Sequence, residues 1–126
     1  MKRAVSLVLA LVMCFALVAC GGGEGKMTTT VKTVTEEGNL ILKASPKALE
    51  RAGIVPGNEV LIEVGEYKAV MLYNNDVLQG QGIDQMWKDI NTKTVSVFTY
   101  EGNFAETNNI AEGAEITITK IIQPAA

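Results

Sequence analysis

Ser45-Pro46-Lys47-Ala48-Leu49-Glu50-Arg51-Ala52-Gly53-Ile54-Val55-Pro56-Gly57-Asn58-Glu59-Val60-Leu61-Ile62-Glu63-Val64 is the stretch on which the fold turns. Ser45 can cap a helix and Pro46 suits its first position, so residues 46–52 read as a short helix. Gly53 fits the left-handed residue after that helix. Pro56-Gly57 turns the chain, and Glu59 to Val64 alternates as a half-buried strand. The same pattern returns 56 positions later. When Ala48–Ile62 is laid over Phe104–Ile118, Glu50/Glu106, Ile54/Ile110, Gly57/Gly113, Glu59/Glu115 and Ile62/Ile118 coincide. Convergence of helix–turn–strand units on one pattern would produce this echo, and so would a barrel built from two related halves. In either case the isoleucines are core and the glycines are turns.

Working outward, Thr28–Thr35 is almost continuously β-branched, and Glu37-Gly38-Asn39 turns it into Leu40–Ala44. Gly65-Glu66 connects to a strand over Tyr67–Tyr73. Residues 83–90 and 94–100 read as two more strands across Asn91-Thr92-Lys93. A short helix fits Asn103–Asn108, and Ala114–Ile122 alternates as the last strand. The expected class is mainly β: a small β-barrel of about seven short strands with one or two short helices, over residues 28–126.

The N-terminal segment has a different character. Lys2 and Arg3 precede an apolar run from Ala4 to Ala16 that is short for a membrane span, and the run leads to Leu17-Val18-Ala19-Cys20 and three glycines. This resembles a bacterial lipoprotein signal peptide with its lipobox. It implies cleavage after residue 19, lipidation (palmitate included) of Cys20, and a flexible tether over residues 20–27. The expected location is the cell envelope: exported, and held on the outer face of the cell membrane or on the outer membrane. Without residues 1–19 the chain would have 107 residues with nine basic and fourteen acidic side chains, a charge of −5. That net charge argues against attraction to anionic lipid headgroups beyond the anchor itself.

The composition excludes much chemistry. The chain has no histidine, which removes imidazole acid–base catalysis and histidine-ligated metal. Cys14 leaves with the signal and Cys20 is blocked by lipid, so no thiol remains as nucleophile or ligand. Asp76, Asp84 and Asp89 stand in no metal-loop pattern, and Glu36-Glu37 reads as a solvated turn. No cofactor or metal is expected, and stand-alone catalysis is not. An exported, acidic chain has no access to nucleic acid, although 45–57 resembles the looped-hinge motif of AbrB-like transcription factors.

Gly38-Asn39-Leu40-Ile41, Ser45–Val64, Asp76-Val77 with Gly80, and Tyr100-Glu101-Gly102-Asn103-Phe104-Ala105-Glu106 ahead of Gly113 follow one another in a telling order. Their spacing resembles the C-terminal domain of the S-adenosyl-L-methionine hydroxide adenosyltransferases, relatives of the fluorinases and chlorinases, over roughly residues 36–122. The resemblance implies a barrel that contacts adenine, with Asn39 and the Gly102-Asn103-Phe104 backbone facing the nucleoside, while the Phe98 and Phe104 rings read as core. Tyr73 and Tyr100 complete the candidate ligand-binding set. The sequence departs from the family in two places. Glu37 replaces an aromatic residue before Gly38, and the region after Tyr73 is shortened to Asn74-Asn75. Two functions follow as expectations: a non-catalytic interaction or structural module that meets another envelope protein, or a binder of a nucleoside-like small molecule such as adenosine or S-adenosylmethionine.

Overall fold

The structure is a computed structural model and describes residues 25–122. The expected signal peptide, Cys20 and most of the tether lie outside the described residues. Strands β1 (Lys26–Val34) and β2 (Leu40–Leu42) are followed by helix α1 (Pro46–Arg51) and strands β3 (Glu59–Val64) and β4 (Tyr67–Asn74). Strands β5 (Asp84–Asp89) and β6 (Thr94–Thr99), helix α2 (Phe104–Asn108) and strand β7 (Glu115–Lys120) complete the chain. The seven strands close into the expected small barrel, in the order β1-β2-β6-β5-β4-β3-β7. Among the described residues only β4 and β5 pair in parallel.

Alternation decides which residues fill the interior. Val60, Ile62 and Val64 of β3 and Ile116 and Ile118 of β7 point inward and are buried, while Glu59 and Glu115 face solvent. The barrel mouths are closed by the connections. Leu49, Ala52 and Ile54 of the α1 segment plug one end, and Phe104, Ala105 and Ile110 of the α2 segment plug the other. The helix α1 forms as its sequence dictates: the Ser45 hydroxyl accepts from the Ala48 N–H at 3.1 Å, and Gly53 takes φ 88° just past the last turn.

The echo of residues 48–62 in 104–118 is architectural. β3 and β7 pair antiparallel with Ile62 opposite Ile118, and Val60–Lys120 is mirrored by Val64–Ile116. Between β2 and β6, Leu40–Val97 is mirrored by Ile41–Ser96. Moving one member of each pair forward by 56 residues and the other back by 56 regenerates the pairing. A pseudo-two-fold axis thus relates β2-α1-β3 to β6-α2-β7, with β1 and β5 in equivalent places beside them. It exchanges the two ends of the barrel. β4 has no counterpart among the described residues: it sits between β3 and β5, whereas β7 pairs directly with β1.

Because β4 runs parallel to β5, residues 75–83 must return along the outside of the barrel. Gln85, fully buried, holds this crossover with both ends of its amide: Nε2 donates to the Leu78 carbonyl at 2.9 Å and Oε1 accepts from the Leu78 N–H at 2.7 Å. The Trp87 indole N–H adds a bond to the Asn75 carbonyl at 2.8 Å. The strand β1 begins at Lys26, inside the expected tether, because Lys26 and Met27 pair with Thr119 and Ile118. Gly25 is bonded on both sides, its N–H to the Ala52 carbonyl and its carbonyl to the Lys120 N–H, each at 2.6 Å. Gln85→Leu strands the Leu78 amide and carbonyl, so urea denaturation should show a loss of about 2–4 kcal/mol. A loss below about 0.5 kcal/mol would mean that the crossover is held by other contacts.

Candidate functional site at the α2 end of the barrel

Register places each candidate residue at one end or the other. The C-terminal ends of β1, β3 and β6 and the N-terminal ends of β2, β4, β5 and β7 meet at the end closed by α2. There the two Gly-Asn motifs converge. Gly38 takes φ 86°, and a Cβ at this position would collide with the side chain of Asn103. The Gly38 carbonyl accepts from the Ala105 N–H at 3.0 Å, which ties the β1–β2 turn to the first turn of α2. Only glycine permits both the left-handed backbone and this approach.

The neighbouring groups are held by short local bonds. Asn103 caps α2, its Oδ1 accepting from the Glu106 N–H at 2.8 Å. Asn39 is half-buried; its backbone N–H donates to Thr35 Oγ1 at 3.1 Å and its carbonyl accepts from the Thr35 N–H at 3.0 Å. Tyr100 is half-buried and exchanges backbone bonds with Gly82 and Ile83. Between Tyr100 and Gly102, Glu101 is held at φ 58°, a conformation uncommon for a residue with a side chain.

Beneath this rim lies a carboxylate that sequence reading passed over as a candidate. Asp84 Oδ2 accepts from the Tyr67 hydroxyl at 2.8 Å, and Oδ1 accepts from the Thr99 hydroxyl at 2.6 Å. The Tyr67 ring stands edge-on to Phe104, with centroids 4.7 Å apart. Burial, the hydrogen bond to Asp84 and the charge of that carboxylate together hold the Tyr67 phenol well above its ordinary pKa. Strand register is what assembles the group: Asp84 lies opposite Thr99, and Tyr67 opens the neighbouring β4. No local motif announces it.

The structure separates the other candidates. Phe104 joins Asn39, Tyr100, Gly102 and Asn103 at the α2 end, yet its side chain is fully buried and belongs to the core. Tyr73 lies at the opposite end of β4, six residues from Tyr67, and is also fully buried. The Phe104 ring is core, as an aromatic on this segment reads, and only its backbone lies at the rim; the Tyr73 ring, a candidate for ligand contact, is buried inside the barrel because β4 turns it inward. The Tyr73 hydroxyl has no hydrogen-bond partner among the described residues, and burial, with the Glu50 charge, pushes its pKa up to about 12. Two open depressions, of about 370 and 280 Å³, flank Gly57 at the α1 end, away from the Asn39–Asn103 rim. Among the described residues no group of three potential metal ligands comes together.

The loops of the α2 end are strongly acidic. Glu36, Glu37, Glu66, Glu101, Glu106 and Glu112 are exposed there, and residues 35–39, 65–66, 79–83 and 100–114 contain no lysine or arginine. The tyrosines yield a pH prediction. An unfolded chain releases phenol protons near pH 10. Tyr73 in the folded state keeps its proton to about 12. The stability that Tyr73 contributes is therefore fully present below pH ~10 and lost as pH rises to about 12. Tyr73→Phe should flatten this alkaline decline in chemical denaturation. At pH 7 it should hold or raise stability, within about 1 kcal/mol, because it removes an unpaired buried hydroxyl. A destabilisation larger than that would show that the hydroxyl is satisfied.

No family model matches the chain, and none of the curated proteins does. Among solved structures it is similar to an uncharacterized conserved protein from Thermotoga maritima, with a TM-score of 0.66 and 17% identity. That alignment covers 75% of this chain and 36% of the other. It is also similar to a conserved hypothetical protein from Thermus thermophilus, with a TM-score of 0.52 and 18% identity, covering 81% of this chain and 38% of that one. The likeness is one of fold. The chain spans little more than a third of either structure.

Proposed function

We propose that this chain is an exported lipoprotein, anchored through lipid on Cys20, whose barrel serves as a non-catalytic interaction or structural module in the cell envelope. Its partner-facing surface is the α2 end. The observation that carries this reading is the convergence there of three connections: the β1–β2 turn locked against α2 through Gly38 and Asn103, the left-handed Glu101, and six exposed glutamates without a cation in the same loops. A rim so charged, on a rigid scaffold, suits a basic surface on another envelope protein.

Two measurements test the proposal. Cys20→Ser should move the chain from the membrane fraction to the soluble one; retention in the membrane would sink the anchor. A photo-crosslinker placed at Glu106 of the lipidated chain in native membranes should give a discrete protein adduct. Glu36→Lys with Glu37→Lys should abolish that adduct, and its persistence would remove the acidic rim from the interface.

A second reading draws on one specific observation: the two Gly-Asn motifs that resemble the adenosyltransferase C-terminal domain meet in space at Gly38 and Asn103. Among the described residues no hydrogen bond engages the Asn39 side-chain amide, which leaves it available to a nucleoside-like ligand. Calorimetry with adenosine and S-adenosylmethionine decides this reading; no heat and no thermal shift at millimolar ligand would end it.

A further inference from the structure

The two ends of the barrel are related by the pseudo-two-fold axis, yet their charges are opposite. At the α1 end, Lys47 and Arg51 stand on α1, Lys26 and Lys120 at the outer ends of β1 and β7, and Lys88 and Lys93 about the β5–β6 turn. With Lys43, seven of the nine basic side chains among the described residues occupy this half. Four acidic residues share it: Glu50, Glu59, Asp76 and Asp89. The other half has nine acidic side chains and two basic ones, Lys32 and Lys68. A fold whose two ends are equivalent has no architectural reason for such polarity. In α1 and α2, Lys47 and Arg51 correspond at a spacing of 56 to Asn103 and Thr107.

Two independent features sit at the basic end. Of the five exposed large hydrophobic residues among the described residues, three are there: Ile122 at 78%, Ile90 at 67% and Val55 at 38% exposure. The N-terminal segment also enters the barrel there. Gly25 is bonded between the C-terminus of α1 at Ala52 and the end of β7 at Lys120, beside Arg51 and Lys26. Cys20 precedes Gly25 by five positions, so a tether at ~3.3–3.6 Å per residue reaches no more than about 18 Å.

We propose that the α1 end docks on the membrane surface that the lipid anchors it to, its lysines and Arg51 against anionic phospholipid headgroups and Ile90, Ile122 and Val55 at the headgroup boundary. This rests on lipidation at Cys20, and it adds orientation: the acidic α2 end points away from the bilayer, toward partners. The net charge of the chain argues against such attraction, but a surface within a screening length of the headgroups responds to the charge nearest it. Basic side chains interleaved with apolar ones are the composition of surfaces that lie on membranes.

The test uses the processed, lipidated chain in vesicles of phosphatidylcholine alone or with phosphatidylglycerol. An environment-sensitive label on Asn91→Cys reports the α1 end, and the same label on Thr107→Cys reports the α2 end. On phosphatidylglycerol vesicles the label at residue 91 should be shielded from aqueous iodide and blue-shifted. At about 1 M salt, where the screening length is ~3 Å, the shielding should vanish. The label at residue 107 should stay quenchable throughout. Each basic side chain near an anionic surface shifts docking roughly fivefold, so Lys47→Gln with Arg51→Gln should weaken it roughly twenty-five-fold. Equal quenching at residues 91 and 107 on co-floating vesicles overturns the docking while leaving the anchor intact. Shielding that is indifferent to phosphatidylglycerol and salt overturns it as well, since the contact would then owe nothing to the basic side chains. Failure of the chain to float with either vesicle instead overturns lipidation at Cys20.

Discussion

The seam between β3 and β7 is the constraint on which the rest of this barrel depends. These strands lie far apart in sequence, and their pairing with Ile62 opposite Ile118 brings together the two segments that echo each other. Both isoleucines are fully buried, and burial of such a side chain is worth about 1.5–3 kcal/mol. A slip of one residue would turn both outward and bring Glu63 and Thr117 into the core instead. The register therefore has one acceptable value, and it sets the pseudo-two-fold axis. From that axis follow the second self-related pairing of β2 with β6 and the closure of each mouth by a short helix.

The symmetry is broken by β4, and the break has consequences. Inserted between β3 and β5, it forces a parallel pairing and the long return over residues 75–83. That return would leave backbone polar groups against the barrel wall, and the fully buried Gln85 satisfies a pair of them. The same insertion brings Tyr67 to Asp84 and Phe104, so the α2 end acquires a hydrogen-bonded floor. The rim above is stiffened where Gly38 leaves room for Asn103. A rigid floor and a locked turn are what an interaction surface needs, because loops that are already ordered lose little entropy on binding.

Much of the fold was legible in the amino-acid order because its signals are local. Alternation revealed β3 and β7, Ser45-Pro46 the start of α1, and Gly53 and Gly113 their turns. The start of β1 was misjudged because Gly25-Lys26-Met27 carries the composition of a tether; it becomes strand only through pairing with β7. The candidate site was legible in part. Asn39, Tyr100, Gly102, Asn103 and the Phe104 backbone do gather at one end, while Tyr73 turns inward at the other. Asp84 went unread, since its partners Tyr67 and Thr99 lie 17 and 15 residues away on other strands.

By itself the sequence determined the strand pattern, the helix caps, the lack of histidine and a net negative charge, all properties of neighbours along the chain or of simple sums. Tertiary structure decided how that charge is arranged. The β2–β3 connection, the start of β1 and the end of β7 gather cations at one mouth, while the loops at the other carry glutamates and no lysine or arginine. No sum over composition contains this, because Lys26, Arg51 and Lys120 become neighbours only when β1 pairs with β7 and Gly25 bonds to Ala52. The electrostatic field at a surface depends on distance in space, and strand register sets those distances.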